Sequence, residues 1–185
     1  MRILAVSGSL RPDSWNTKVL RAAAELLPGD AELELFDGLK QVPPYDESDD
    51  VEPAPAAVAR LREAIAGADA ILVSTPEYNS SVPGQLKNAV DWASRPLATN
   101  VLRNKPVAVV GASTGAFGAV WAQAELRKAL GATGARVVEG EVAFGHAPTR
   151  FDAEGALVDE ALREQLVEVV EALAAAVRAR VAVAA

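Results

Sequence analysis

Short apolar runs alternate along this chain with longer segments whose apolar residues recur every three to four positions. The runs Arg2–Ser7, Ala68–Ser74 and Lys105–Gly111 carry almost no polar interruption, which is typical of strands buried on both faces of a parallel sheet. Ala31–Phe36 alternates leucine with glutamate and predicts a half-exposed edge strand. A fifth strand is expected to start at Arg136–Val138.

Apolar residues at helical spacing predict a helix between successive strands. The last of these helices follows Asp159, whose side chain is suited to an N-cap, and Glu160 lies in its first turn. Gly38–Pro55 contains prolines and an acidic run and is expected to be a long surface loop. The other predicted helices are Asn16–Leu27, Ala56–Ala66, Pro83–Trp92 and Gly118–Leu130.

Strands alternating with helices imply a parallel sheet with helices on both faces, a three-layer α/β sandwich. Five strands fit the flavodoxin-like order 2-1-3-4-5, in one domain that spans residues 1–185. In such a sheet, ligands bind beyond the carboxyl ends of the strands, near the switch point between strands one and three. The loops Ser7–Thr17 and Ser74–Val82 are therefore predicted to be functional, and the loop after strand four to complete the pocket.

Composition narrows the chemistry that the chain can perform. The net charge is −7, which makes nucleic-acid binding a poor fit. There is no cysteine and one histidine, so thiolate zinc sites, cysteine catalysis and histidine-rich metal sites are excluded. The chain begins directly with a strand, and its apolar tail is broken by Arg178 and Arg180, so we expect a cytoplasmic protein with no membrane span.

The first loop, SGSLRPDSWNT, joins a strand to a helix, where unpaired backbone N–H groups and the helix dipole favour an anion. It matches neither the GxxxxGK[ST] pattern nor GxGxxG. An ordinary connection capped by serine and asparagine remains an alternative for the loop taken alone. The short polar and basic side chains suited to a phosphate are Ser9, Arg11, Ser14, Asn16 and Thr17.

The second loop offers an aromatic ring at Tyr78, an amide at Asn79 and backbone N–H groups after Pro76. A flat heteroaromatic ligand needs such donors along one edge and partial cover over its face. Alternatively, this is a proline-bounded turn with Tyr78 packed on the core. For Glu77, a solvated or helix-capping carboxylate is preferred to a general base.

The third loop, Gly111–Gly118, is built from small residues that allow the backbone to approach a ligand closely. It also fits a plain turn between strand four and its helix. Neither this loop nor the second is specific when considered alone, and only the three loops together predict a cofactor site.

These motifs together resemble the NADPH-dependent FMN reductase family of flavodoxin-like quinone, chromate and azo-dye reductases. The matching stretches are GSLRPDSWN, PPYDE, PEYNSSVPGQLKNAVDWAS and GASTGAFG, and the resemblance extends over nearly the whole chain. One departure is Ala119, where many relatives have a second glycine. The resemblance implies hydride transfer from NADPH or NADH to bound FMN, and then reduction of a quinone, flavin, azo compound or metal oxyanion. No protein side chain is then required for the chemistry itself.

The resemblance also implies positions for the cofactor and the state of assembly. The FMN phosphate would lie at the first loop, on the five residues given above. A homodimer or tetramer is implied, with the helix after PEYN near its interface. The isoalloxazine would be bordered by residues of the second and third loops, Pro76, Glu77, Tyr78, Asn79, Ser113 and Gly115.

Two other functions compete with the reductase. A flavodoxin-type electron carrier would bind FMN without reacting with NAD(P)H, but such carriers usually cover both flavin faces with aromatic rings, and the third loop offers only Phe117. A cofactor-free module is disfavoured by the intact first and second loops. The sequence does not assign roles to Trp15, Trp121 and His146, and core packing is the default interpretation of Trp92.

Overall fold

The computed structural model describes residues 1–184 and, within them, one parallel sheet with helices on both faces. The strands lie in the order β2-β1-β3-β4-β5, with β6 also paired to β4, which confirms the flavodoxin-like prediction. The strands are β1 Arg2–Ser7, β2 Glu32–Leu35, β3 Ala70–Thr75, β4 Pro106–Ala112, β5 Arg136–Val137 and β6 Ala143–Phe144. The helices are α1 Trp15–Glu25, α2 Ala56–Gly67, α3 Gly84–Ala93, α4 Val120–Ala132 and α5 Glu160–Ala184.

The central strands are buried on both faces because their side chains alternate between two hydrophobic cores. In β1, Ile3 and Ala5 pack with residues of α1 and α5, whereas Leu4 and Val6 pack with residues of α2, α3 and α4. The same alternation continues through β3 and β4. This two-sided burial explains the unbroken apolar runs in the sequence.

The fifth position of the sheet is interrupted, which the sequence did not predict. β5 and β6 both pair with β4, and the residues between them leave the ladder. Arg127 of α4 fills the gap: its guanidinium donates to the carbonyl oxygens of Val109 at 2.6 Å, Val138 at 2.9 Å and Gly140. Burial lowers the pKa of Arg127, and Glu141 opposes that effect.

The predicted surface loop at residues 38–55 is partly anchored to the core. Asn88 of α3 accepts from the backbone N–H of Tyr45 at 2.7 Å and donates to the carbonyl of Pro43 at 2.8 Å. The indole N–H of Trp92 donates to the same carbonyl at 2.8 Å, and its side chain is completely buried. Trp92 is therefore a core residue.

The predicted N-cap of the last helix is confirmed. Asp159 caps α5, since its Oδ1 accepts from the N–H of Leu162 at 3.0 Å. No helix within residues 1–184 combines the length and apolar character needed to cross a bilayer.

Candidate active site

The three predicted loops meet at the carboxyl ends of β1, β3 and β4, which are neighbours in the sheet. Between them lies a cleft of about 300 Å³. Adjacent parallel strands bring their following loops to the same edge, so residues far apart in sequence form one wall. The cleft is lined by Ser9, Arg11, Ser14, Trp15, Asn16, Pro76, Glu77, Tyr78, Ala112, Ser113 and Thr114.

Most of the predicted site residues line this cleft, but Thr17, Asn79 and Gly115 do not. Trp15, Ala112 and Thr114 do line it and were not among the predicted contacts. Trp15 and Thr114 lie inside the predicted loops, so their position in those loops could have identified them as site residues. Ala112, at the end of β4, also lies inside the predicted third loop, but its methyl group gave no chemical signal.

The first loop leaves several hydrogen-bond donors available. Ser14 caps α1, with its Oγ accepting from the N–H of Asn16 at 3.2 Å. The N–H groups of Trp15 and Thr17 have no acceptor among residues 1–184. The exposed guanidinium of Arg11 likewise has no partner within the described chain. This combination of a helix start and a cation is suited to a phosphate.

The side chain of Asn16 forms hydrogen bonds with two strand ends at the floor of the cleft. Its Oδ1 accepts from the hydroxyl of Ser74 at 2.8 Å and from the N–H of Ala112 at 3.1 Å, while its Nδ2 donates to the Ala112 carbonyl at 3.1 Å. The side chain is buried and links α1 to the ends of β3 and β4. The amide oxygen and one amide N–H of Asn16 are therefore committed to protein contacts, and Asn16 positions the site.

The second loop contains a tight hairpin turn. Tyr78 and Ser81 exchange backbone hydrogen bonds of 3.2 and 3.1 Å, and Asn79 and Ser80 between them have φ of 52° and 58°. Two consecutive left-handed residues are the requirement of a type I′ turn, and asparagine tolerates that conformation well. Asn79 thus shapes the turn, while Tyr78 is 56% exposed at the cleft and not packed in the core.

Two glutamates fasten the second loop to α4. Glu77 Oε2 accepts from the N–H groups of Trp121 at 3.0 Å and Ala122 at 3.1 Å, which lie in the first turn of that helix. Glu125 Oε2 accepts from the hydroxyl of Ser81 at 2.6 Å. The preference for Glu77 as a capping carboxylate is confirmed.

The third loop packs tightly against β6. Gly118 has φ of +57°, and a Cβ there would lie 2.4 Å from the backbone carbon of Ala143. Ala119, at the position where relatives often have glycine, also adopts a left-handed φ of 65° and is buried. Ala119 therefore adopts a backbone conformation that favours glycine. Ser113 accepts through its Oγ from the N–H of Gly115 at 3.1 Å.

Two exposed aromatic residues, from the third loop and from α4, lie near the cleft without lining it. Phe117 and Trp121 form an edge-to-face pair with ring centroids 5.1 Å apart, and they are 63% and 47% exposed. Trp15 instead packs against Phe151 at 5.7 Å. His146 follows β6 with φ of 49°, and its N–H donates to the Gly115 carbonyl at 2.8 Å. The backbone of His146 thus supports the third loop.

Comparisons with known proteins agree with this geometry. The family model described as NADPH-dependent FMN reductase matches residues 1–149. The chain is 42% identical over 174 residues to an NAD(P)H-dependent FMN reductase from Pseudomonas aeruginosa, covering 94% of this chain and 93% of that one. It is 39% identical over 181 residues to a 2-hydroxy-1,4-benzoquinone reductase from a Burkholderia species, covering 97% and 98%.

A solved structure of an NAD(P)H-dependent flavoenzyme is also similar to this chain. The flavoenzyme NAD(P)H:(acceptor) oxidoreductase FerB from Paracoccus denitrificans matches with a TM-score of 0.86 and 35% identity, over 96% of this chain and 97% of that one. With most of its length matched by the family model, the chain belongs to the NADPH-dependent FMN reductase family and is an NAD(P)H-dependent flavin oxidoreductase.

Proposed function

We propose that the cleft binds FMN with the phosphate at the start of α1. One observation carries this proposal: the N–H group of Trp15 and the guanidinium of Arg11, two residues that line the cleft, have no acceptor within the described residues and so favour a bound anion. Ser9 and Ser14 add hydroxyl groups beside them. This donor set fits a phosphate dianion, and it lies in a cleft wide enough to continue toward the second loop.

We place the flavin ring between the second and third loops. Pro76, Glu77 and Tyr78 of the second loop and Ser113 of the third would border the ring, since all four line the cleft. Thr17, Asn79 and Gly115 support the cleft from outside: Thr17 donates to the Ser7 hydroxyl at 3.2 Å, and the other two shape the second and third loops. The protein's contribution is thus to hold and orient the cofactor.

When bound, FMN supplies the redox chemistry, taking a hydride from NAD(P)H and delivering two electrons to an acceptor. The side chains around the cleft include no histidine or cysteine, and Glu77 is committed to capping α4. The chain therefore binds and positions the reactants rather than acting as a general acid or base. An acceptor that takes up protons from solvent, such as a quinone, suits an open site of this kind. We also propose flavins, azo compounds and metal oxyanions as electron acceptors.

We further propose that the chain functions as a homodimer, or as a tetramer, through a face that includes α3, the helix after PEYN, and the exposed rings of Phe117 and Trp121 beside the neighbouring α4. Exposed adjacent aromatic rings are costly in water and are enriched at protein interfaces. Because the backbone of Trp121 is bonded to Glu77, which lines the cleft, a second copy packed on these rings would lie close to the flavin. A cytoplasmic location is proposed because NAD(P)H is available there.

The experiment is to load the purified protein with FMN, remove unbound flavin and record the absorbance before and after anaerobic NADPH. Retained flavin that bleaches, and regains its colour on adding benzoquinone, is the expected result. Riboflavin is the matched ligand control: lacking the phosphate, it should be retained less well. Flavin that stays oxidised with NADPH would favour the electron carrier, and equal binding of riboflavin and FMN would overturn the phosphate placement.

A further inference from the structure

A second groove lies on the other side of the first loop, between that loop and the segment after β2. It has a volume of about 280 Å³, and we call it the basic groove because Arg11, Arg21 and Lys40 line it. Arg21 is exposed on α1, and Lys40 is exposed in the short turn at Leu39–Gln41. Ser9 and Arg11 belong to both the cleft and the basic groove, so the two are separated only by the first loop.

The charges of the basic groove are not neutralised by the protein. Within residues 1–184, none of its three cationic side chains forms an ion pair, whereas Arg2, Arg62, Arg150 and Arg178 are each paired with a carboxylate. The acidic residue of the groove, Asp37, is engaged by Arg60 from α2. With Arg11 assigned to the FMN phosphate, the two unpaired cations Arg21 and Lys40 remain in the groove, and on a chain of net charge −7 they favour a second bound anion.

The same groove has an apolar wall. Leu10 and Leu35 are 41% and 38% exposed there, and the buried side chains of Phe36 and Leu39 lie behind them. Exposed leucines beside a cationic rim match a ligand with a flat apolar part and attached phosphates. A phosphorylated adenosine has both features, whereas a simple inorganic anion would use only the rim.

The position of the groove relative to the cleft identifies its occupant. The sheet order β2-β1-β3-β4 puts the loops after β2 and β4 three strand spacings apart, about 14 Å at the level of the strands. An extended dinucleotide that crosses the first loop could therefore place its two halves in the two sites. Building on the proposed function, we propose that the basic groove binds the 2′-phosphorylated adenosine half of NADPH and thereby gives preference for NADPH over NADH.

The first test is a calorimetric titration of the FMN-loaded protein with adenosine 2′,5′-bisphosphate and with adenosine 5′-monophosphate. The test variant is Arg21→Gln/Lys40→Gln, which leaves Arg11 intact. The matched control is Lys128→Gln/Arg136→Gln, which removes two exposed charges that are also unpaired within the described residues and lie away from the groove. We expect wild type and control to bind the bisphosphate about tenfold more tightly than the monophosphate, and the test variant to lose that difference.

The second test is steady-state kinetics with both nicotinamide donors. The test variant should raise KM for NADPH about tenfold, change KM for NADH less than about twofold and leave FMN affinity unchanged. Equal changes for both donors, a change only in the KM of an anionic acceptor, or no change at all would overturn the assignment. If the wild type oxidises neither donor, the proposed function fails, and the titration, which needs no turnover, still decides what the groove binds.

Discussion

Glu77 caps a helix that starts more than forty residues later, with its Oε2 3.0 Å from the backbone nitrogen of Trp121. The same oxygen accepts from Ala122 at 3.1 Å, so one carboxylate satisfies two of the donors that open α4. This contact holds the second loop against α4 and thereby sets the width of the cleft between Tyr78 and the third loop.

Removing this carboxylate should destabilise the second loop and the start of α4. We expect Glu77→Ala to lower the free energy of unfolding by about 1 kcal/mol, because a helix cap is lost, and Glu77→Gln to lower it less, since an amide oxygen still accepts. Urea denaturation measures the loss, and hydrogen exchange should show faster exchange at Trp121 and Ala122. Glu164→Ala, on the exposed face of α5, is the control and should change neither quantity. Unaltered exchange in Glu77→Ala would refute the capping role.

Arg11 should matter for the cofactor and not for the fold. Arg11→Ala is expected to weaken FMN binding by about 1.5–3 kcal/mol, the size of a hydrogen bond to a charged group. The melting temperature of the flavin-depleted protein should stay the same, since the guanidinium has no partner within the described residues. Fluorescence titration with FMN measures the affinity, and Arg136→Ala is the matched loss of charge. Unchanged FMN affinity in Arg11→Ala would show that the phosphate lies elsewhere.

Two glycines of the third loop should respond very differently to the same substitution. Gly118→Ala is expected to lower the free energy of unfolding by about 2–5 kcal/mol, because it adds a left-handed φ penalty to a 2.4 Å contact with Ala143. Gly115→Ala should change it by less than about 0.5 kcal/mol, since its Cβ would lie 3.5 Å from Ser113 Oγ. Urea denaturation of the two variants gives the comparison. Similar losses would mean that the loop is not held against β6.

Lys105 gives the fold a dependence on alkaline pH. It is buried and donates to the carbonyls of Ala66, at 3.4 Å, and Ala68. Burial lowers the pKa of Lys105 below its ordinary value of 10.5, and repulsion by Arg180 adds to this. Between the folded-state pKa and 10.5, the unfolded chain binds more protons than the folded chain. The free energy of unfolding therefore rises with pH across that window. As the pH falls back to the folded-state pKa and below it, this gain is lost.

The measurement is the free energy of unfolding at a series of pH values from neutrality to 10.5, for wild type and Lys105→Met. The difference between the two proteins should change with pH in the stated direction, because the variant cannot titrate at this position. Exposed Lys128→Met is the control and should follow the wild type. A pH-independent difference between wild type and Lys105→Met would contradict the lowered pKa.

The sequence predicted most of the fold because the central strands are buried on both faces. Arg2–Ser7 agrees with β1 at both ends, and the predicted third and fourth strands match β3 and β4 to within two residues. The break between β5 and β6 was not predictable, since it depends on Arg127 reaching three carbonyl groups from a helix. An arginine on a predicted helix looks the same whether it is solvated or inserted into a sheet.

The site was predictable at the level of its loops and less so at the level of individual side chains. The carboxyl ends of adjacent strands had to bring the three loops together. Asn16 has an amide that suits a phosphate as well as a backbone carbonyl, and only the packing shows that it faces Ser74 and Ala112. The turn role of Asn79 similarly depends on its φ, which its side-chain chemistry does not reveal.

The bridge made by Asn16 has a consequence for the order of folding. It joins residues 16, 74 and 112, so the floor of the cleft exists only after α1, β3 and β4 have all docked. Contacts between segments so distant in sequence form late, because the intervening chain must first be closed into loops. Flavin present during refolding therefore cannot guide the early steps. Flavin binds only once the sheet is complete, and the rate of its uptake therefore reports the last step of folding.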